Sequence, residues 1–482
     1  MKQIFLSAYT FIIAGLLLFM VACNKDKGNY SYNFPEEPAV TNLDSLYSVF
    51  VGDSLIIAPV VTVKENANLV LTWKLSVPDP NLKDVVDTGA RFNVIFGLGP
   101  QRYSGKLTIT NMDNGMKYFR DFIVNGKTAF SAGTTVLSLE NGTSQVSFIR
   151  PDGTVQARLF GAVNPGELLP GEPTQLLVTP QAYQPFVKSY WVFGKKGTNT
   201  GIQIDANTFR KIKTLGDNFF DAPDTAIVPS KMFVTPLGVI SGVINGRLYD
   251  GTTSTWDQAP TYGMFGLGAV GDYDLSPEIV LNYTGTFGPG NYIGFDKNKK
   301  QFVRFNLYGG AVYFGPDYAV TPGTAFNPLQ LGMDLQHLQQ INGGLCYAFC
   351  RAGDNALYEL KFDAIFNGPF EFNPIQKRLF SKPELILSTT KWAATPNEII
   401  YFSSGDKIYR YNPTNLDFKI LNANFGGKTI SMIKIVDNGN TMLAGTEGSL
   451  YYLDISTGKN GEITKTINGI PGAPIDAGIR AL

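Results

Sequence analysis

"IIYFSSGDKIYRYNPTNLDFKIL" (residues 399–421) and "TMLAGTEGSLYYLDISTGKNGEI" (441–463) share one construction. An apolar run meets a glycine-centred turn, an aromatic-rich run follows and ends at Asp or Asn, and a polar turn closes the unit. Each reads as a β-hairpin with a further strand. Weaker copies are "VSFIRPDGTVQARLF" (146–160), "YWVFGKKGTNTGIQIDANTFRKI" (190–212), "VISGVINGRLYDGTTSTWD" (239–257), "NYIGFDKNKKQFVRF" (291–305) and "CYAFCRAGDNALYELKFDAI" (346–365). Seven units over residues 134–482 give 349/7, about 50 residues each, near the period of propeller blades. A small sheet cannot bury both of its faces alone, and radial stacking covers both while protecting the edges. The expected fold is therefore all-β, with a propeller-like domain of about seven blades over 127–482. The alternative is a pair of β-sandwiches whose hairpins merely look alike.

Composition agrees with a folded, turn-rich chain. Hydrophobic residues make up 44% and aromatics 13% of 482 residues, with 51 glycines. Forty basic and forty acidic residues cancel, so no basic excess marks a nucleic-acid binder. The length exceeds one ordinary core and calls for at least two domains.

The second domain lies upstream. From Leu46 to Val124, short β-rich segments such as "LYSVFVGDSLIIAPVVTV", "NLVLTWKLSV" and "ARFNVIFG" are parted by Gly, Asn, Asp or Pro. In "KLTITNMDNGMKYFRDFIV", Leu107 and Ile109 alternate with polar residues, and "MDNG" makes an Asp/Asn-Gly hairpin turn. A module of this size over 43–126 suits an immunoglobulin-like β-sandwich.

The chain begins with Lys2 and a largely apolar run from Ile4 to Ala22, then "CNKDKGNY". This matches a secretory signal peptide over 1–22, while the run is also long enough for a transmembrane helix. Met20-Val21-Ala22-Cys23 resembles the lipobox of bacterial lipoproteins, with Met20 in place of the usual Leu. That resemblance makes Cys23 the lipidation site, and several acyl chains anchor stably where one would not. Residues 23–42, rich in Gly, Asn, Pro and charge, read as a lipidated tether.

"LTWKLSV" with Trp73, followed by "YSGKLTITNMDNGMKYFRDFIV", resembles PKD-like domains, although the usual WDFGDG turn is missing. Together with the CNKDKGNY start, it is similar to the divergent PKD-like lipoproteins of Bacteroidota. The resemblance implies an outer-membrane, lipid-anchored protein, on the cell surface or facing the periplasm. It further implies an accessory role in a Sus-like nutrient-uptake system, beside a TonB-dependent transporter and a glycan or peptide ligand.

Chemistry-bearing motifs are sparse. No nucleotide-binding glycine loop, nucleophile elbow or HExxH is present, and no cofactor, metal or catalytic residue is assigned. Asp272, Asp274 and Glu278 in "GDYDLSPE" are the densest acidic cluster beyond the tether. Paired carboxylates suffice for glycoside hydrolysis, so the rival reading is a carboxylate-dependent glycosidase or lyase with its site in the propeller funnel. Its bland counterpart is a solvated loop. Cys346 and Cys350, four residues apart on a strand, sit roughly 13 Å from each other and read as buried thiols rather than a disulfide. His337 lies in "MDLQHLQQ", the one stretch with helical leanings, and reads as structural.

Trp73 and Trp191 sit in alternating strands and read as core. Trp256 and Trp392 lie in polar, Pro-containing stretches that read as blade connections, where an indole either stacks on a ligand or packs between blades. Ser45 in "DSL" resembles the short O-glycosylation acceptor of exported Bacteroidota proteins, as do Asp53–Leu55 and Asp224–Ala226 more weakly.

Overall fold

The computed structural model describes residues 36–480, apart from 65–66, 79–82, 182–185, 236, 255–259, 284–289, 308–309, 324 and 367–368. Cys23, Trp256 and the signal-peptide stretch 1–22 lie outside the described residues, as does most of the stretch read as a tether. The chain divides into two compact units, the second starting in the main at Gly126.

The first unit is a β-sandwich. Its larger sheet has the order Leu46–Phe50, Lys117–Lys127, Arg102–Asn111, Leu69–Ser76, Val85–Thr88, with the last four strands antiparallel to their neighbours among them. Ser54–Ile57 pairs with Phe92–Ile95 in a smaller sheet. Trp73 joins the two, because alternation along Leu69–Ser76 turns its indole inward onto Phe92 at 5.8 Å and Phe122 at 5.9 Å. The indole is fully buried, and its Nε1 donates to Gly89 O at 2.9 Å, so the polar edge of the ring is satisfied. The "MDNG" turn closes the Arg102–Asn111/Lys117–Lys127 hairpin with Gly115 at φ +74°, a left-handed position that favours glycine. Ala39–Thr41, at the end of the stretch read as tether, pairs with Val60–Thr62.

The second unit is a closed ring of seven sheets among the described residues. Blade 1 consists of Gly133–Glu140, Thr143–Ile149 and Val155–Gln156, completed by Ala473–Arg480 from the far end of the chain. Blade 2 is Gly171–Pro180, Val187–Lys196, Gly201–Asp205 and Lys211–Thr214. Blade 3 is Pro229–Val234, Ile240–Ile244 and Arg247–Asp250, and blade 4 runs Leu275–Tyr283, Gly290–Asp296, Gln301–Leu307, Ala311–Gly315. Blade 5 holds Asp334–Asn342, Leu345–Arg351, Leu357–Ile365 and Glu371–Leu379, with Ala319–Val320 added in parallel at its outer edge. Blade 6 is Trp392–Ala394, Ile400–Ser404, Lys407–Asn412, Asp417–Ile420; blade 7 is Met432–Val436, Thr441–Thr446, Ser449–Asp454, Glu462–Asn468. The first strand of each of blades 2 to 7, with Ala473–Arg480 for blade 1, neighbours the next in a closed cycle, so these strands are innermost.

Side-chain alternation explains the closure. Tyr347 and Phe349 enter a core shared with blade 6, while Cys346, Ala348 and Cys350 on the same strand enter a core shared with blade 4. Trp191 and Phe193 face blade 3, and Val192 faces blade 1. Seven such apolar cores lie between consecutive blades, the last joining Met432 and Leu443 of blade 7 to Val136 and Ala477 of blade 1. Strands such as "CYAFC" and "YWVF" read as continuous apolar runs because both faces are covered. The seven repeated hairpins each fall in a different blade, as its second and third strands in blades 2 to 7 and as its third and fourth strands in blade 1. Cys346 and Cys350 are buried free thiols, and burial pushes both upward in pKa.

Polar side chains tie the innermost strands together. Gln175 of blade 2 donates to Met232 O at 2.8 Å and accepts from Met232 N at 3.0 Å, and Gln340 of blade 5 clamps Leu281 N and O in the same manner at 3.1 and 2.8 Å. Asp476 of the closing strand accepts from Lys434 Nζ at 2.8 Å on blade 7 and from Leu176 N at 2.9 Å on blade 2. An innermost strand has no sheet neighbour on its axial side, and these side chains pair backbone groups that would otherwise stay unmatched.

The helical expectation for "MDLQHLQQ" is corrected: His337 lies in the Asp334–Asn342 strand. Register shifts between Leu335 and His337 and between Gln340 and Asn342 interrupt its two-residue alternation, leaving Leu335 and Leu338 at a spacing that imitates a helix.

The seam between blades 3 and 4 carries one strained polar group. Asp250 Oδ1 is buried without a partner, and burial, only partly offset by Ser241, pushes the carboxyl up from 3.8 to about 7. The native state therefore holds a proton that the unfolded chain releases. Its contribution is fully present below about pH 4 and is lost as pH rises to about 7. Asp250→Asn is expected to gain stability over the wild type through that window, reaching about 2–4 kcal/mol at pH 7.5. Urea unfolding at pH 4 and pH 7.5 checks it; an equal difference at both pH values contradicts it.

Candidate functional site

Between blades 6 and 7 a groove with about 240 Å³ of free space opens at the turns that join first to second strands. Its walls are built by tight turns. Thr395 N bonds Ile399 O at 2.9 Å, and on blade 7 Asn440 N bonds Asp437 O at 3.0 Å while Ile455 N returns to Asn440 O at 2.9 Å. Glu398, Asp437 and Asn438 adopt left-handed conformations, which turn the backbone back sharply and leave side chains projecting at the rim.

Asn397, Asn438 and Asn440 present side-chain amides to solvent along the groove, and none bonds to another described residue. Arg410 forms its inner wall beside the buried Tyr401, whose register partner it is. No carboxylate pairs with Arg410 among the described residues, and its side chain lines the groove. Lys459 adds a second cation from the outer turn of blade 7. Burial raises the Tyr401 phenol, an effect Arg410 opposes, so the ring stays neutral and serves as a wall.

No Asp or Glu lines the groove. Glu398, the nearest in sequence, is turned toward blade 5, where it accepts from Tyr347 OH at 2.7 Å and Lys361 Nζ at 2.6 Å. Lys361, with Tyr347, holds its carboxyl below the ordinary range. The groove thus offers amides, hydroxyls and two cations with no carboxylate in its described lining, Lys459 being partly balanced from outside it by Asp454 and Glu462. It suits a ligand rich in hydroxyls or carrying negative charge.

The acidic cluster read from sequence does not converge. Asp272 pairs with Lys299 at 2.8 Å and Asp274 with Lys297 at 3.0 Å, both on the exposed turn. Glu278 instead lies on an innermost strand, 3.9 Å from His337 Nδ1. Burial raises its carboxyl, but His337 and Lys231 outweigh that and hold it below the usual range. Among the described residues no group of three or more His, Cys, Asp or Glu is placed to hold a metal ion.

Trp392 is not in a connection; it opens the innermost strand of blade 6, half-buried. Its ring stacks on His337 of blade 5 at 4.8 Å and 7°, with Phe349 at 4.6 Å and Phe402 at 5.4 Å. Ser45 is exposed beside the first long strand of the sandwich, its carbonyl accepting from Ile123 N. Sequence reading did not single out the groove residues, because Asn-Gly pairs and isolated cations read only as turns and surface.

A β-sandwich followed by a seven-bladed β-propeller is the class these features define. Residues 23–173 match the PKD-like family, a span that takes in the sandwich and the three blade 1 strands between Gly133 and Gln156. The chain is similar to a quinonprotein alcohol dehydrogenase-like protein of Bacteroides thetaiotaomicron, at 14% identity and TM-score 0.38 over 92% of this chain and 99% of that one. It is also similar to the extracellular domain of a proposed one-component system from the same organism, at 10% identity and TM-score 0.39 over 92% and 70%. No curated protein matches the sequence.

Proposed function

We propose that the protein is a non-catalytic, lipid-anchored component of the outer membrane that captures a glycan or peptide ligand on its propeller. In this reading Cys23 carries the lipid and residues 24–38 span from membrane to sandwich. The propeller then presents its ligand to a TonB-dependent transporter of a Sus-like uptake system at the cell surface. The lipobox-like Met20–Cys23 stretch and the PKD-like match support the anchoring half. The observation that carries the binding half is the groove between blades 6 and 7, with an unpaired Arg410 and three free amides and no carboxylate to serve as acid or base.

Arrays of glycans and peptides, followed by calorimetric titration of the best ligand, test this reading. Arg410→Ala is expected to weaken that ligand about 10- to 100-fold, the range for one charged hydrogen bond, with thermal stability nearly unchanged. Release of cleaved products by the purified chain, or binding indifferent to Arg410, would overturn it.

A further inference from the structure

The groove between blades 6 and 7 is walled by turns whose backbone is already engaged. Glu398 N bonds Thr395 O at 3.2 Å and Lys459 N bonds Ser456 O at 2.9 Å, beside the Thr395, Asn440 and Ile455 bonds that shape the walls. Tyr401 and Arg410 come from strands that are paired on both sides. A peptide that joins a β protein by extending a sheet needs an open strand edge, and the lining holds none. What it holds instead is the exposed amides of Asn397, Asn438 and Asn440, each of which both donates and accepts, the complement of a sugar hydroxyl.

Charge narrows the ligand further. Tyr401 is the one aromatic residue of the lining and is only 3% exposed, so no ring face is open for a neutral sugar to stack on. The half-buried Arg410 remains, with Tyr401 and Lys419 as its register partners. The acids near it in sequence serve other cations. Asp417 stands 4.0 Å from Lys419 Nζ, and Glu398 Oε2 accepts from Lys361 Nζ and Tyr347 OH on blade 5. Lys459, at the rim, is partly balanced by Asp454 and Glu462, which leaves the Arg410 guanidinium as the principal cation. Asn342 Nδ2 of blade 5 donates to Pro396 O at 3.4 Å, so the turn bearing Asn397 is fixed from behind by Asn342 and by the Glu398 contacts. A wall held in this way needs little reordering when a ligand arrives.

Resting on the capture reading above, we propose that this groove selects an acidic glycan, one whose rings carry carboxylate or sulfate groups beside their hydroxyls. Arg410 takes the anionic group, and Asn397, Asn438 and Asn440 take hydroxyls of the same ring or the next. With about 240 Å³ of free space the groove holds a short stretch of such a chain, which continues past the rim. Selectivity comes from the charge, because the lining offers neither a stacking face to a neutral sugar nor a strand edge to a peptide.

Calorimetric titration of the full-length chain in detergent micelles with two matched pairs tests the selectivity: oligogalacturonate against its methyl ester, and a sulfated galactan oligosaccharide against its desulfated form. In at least one pair the acidic member is expected to bind about tenfold tighter or more, with affinity falling as sodium chloride is raised. Arg410→Gln, folded by circular dichroism, should bring the two members of that pair within about threefold of each other. A preference in one pair alone assigns the group as carboxylate or as sulfate and upholds the acidic ligand. Neutral members that bind as tightly as the acidic ones overturn the selectivity and leave the capture reading standing. Absence of binding by all of these glycans overturns it as well, and the peptide arrays then decide the capture reading. It fails equally if Arg410→Gln keeps the wild-type preference for the acidic member.

Discussion

Ending the chain at Gly472 is expected to unfold the propeller rather than trim it. The Ala473–Arg480 strand is the innermost strand of blade 1, although the rest of that blade comes from residues 133–156. Its loss exposes the whole Gly133–Glu140 edge and opens the apolar cores on both sides of blade 1, which Ala477 and Ile475 help to fill. It also removes Asp476, which bridges blades 7 and 2, and Arg480, which donates to Phe130 O at 3.0 Å and to Ala206 O and Asn207 Oδ1 at 2.7 Å each. The strand must pass very close to its partner on the way in. A Cβ at Gly472, where φ is +67°, would stand 2.1 Å from Leu139 O. An open ring of seven sheets leaves two unpaired faces, and the loss is comparable with the whole stability of a domain, about 5–15 kcal/mol. The truncated chain should lack a cooperative thermal transition for the propeller, digest rapidly between blades and associate through its bare edge. A transition within a few degrees of the full-length chain would show that the ring does not depend on this strand.

The part of this fold legible in sequence was the part with uniform burial. Second and third strands of blades 2 to 7 are covered on both faces and joined by short turns, so "CYAFCRAGDNALYELKF" and its counterparts kept a common signature, while the blade 1 copy, on the third and fourth strands, kept it more weakly. Innermost and outermost strands lost it. "APIDAGIR" carries Asp476 and Arg480 at positions fixed by inter-blade links, and a bulge opposite Leu137–Ser138 breaks its alternation, so nothing local marks it as the closing strand. Blade 3 replaces a fourth strand with isolated bridges from Phe265 to Gly251 and Phe219, a substitution made by chain crossing and invisible in local pattern. Trp73 was readable because one aromatic on an alternating strand has a single inward face. The groove was not readable: its residues come from three turns and two strands spread over Thr395 to Lys459, and only the packing of blade 6 on blade 7 brings them together.

Arg378→Met is expected to lower propeller stability by about 3–5 kcal/mol at pH 7, the range for leaving one partner of a buried ion pair behind. Glu359, 1% exposed, sits in the seam between blades 5 and 6. Arg378 reaches it from the outer strand of blade 5 at 2.5 Å, and Tyr411 OH of blade 6 donates to its other oxygen at 2.5 Å. The same guanidinium nitrogen contacts Tyr411 OH at 3.0 Å and Pro413 O at 2.5 Å, so one side chain locks two blades. Burial already raises the Glu359 carboxyl despite Tyr411 and Arg378. Removing the cation raises it further, and the native state of the variant then favours the protonated acid. The sign follows: a raised carboxyl contributes stability fully present below its unfolded pKa and lost as pH rises. The defect should accordingly be small near pH 4 and grow toward pH 7. Arg378→Met combined with Glu359→Gln should recover most of the loss at pH 7, because an amide needs no counter-charge. Urea unfolding of the two variants at both pH values decides it. A single variant within 1 kcal/mol of the wild type at pH 7, or a defect equal at both pH values, would mean that the pair does not hold the seam, because the arginine's charge would then have no energetic hold on the carboxylate it touches.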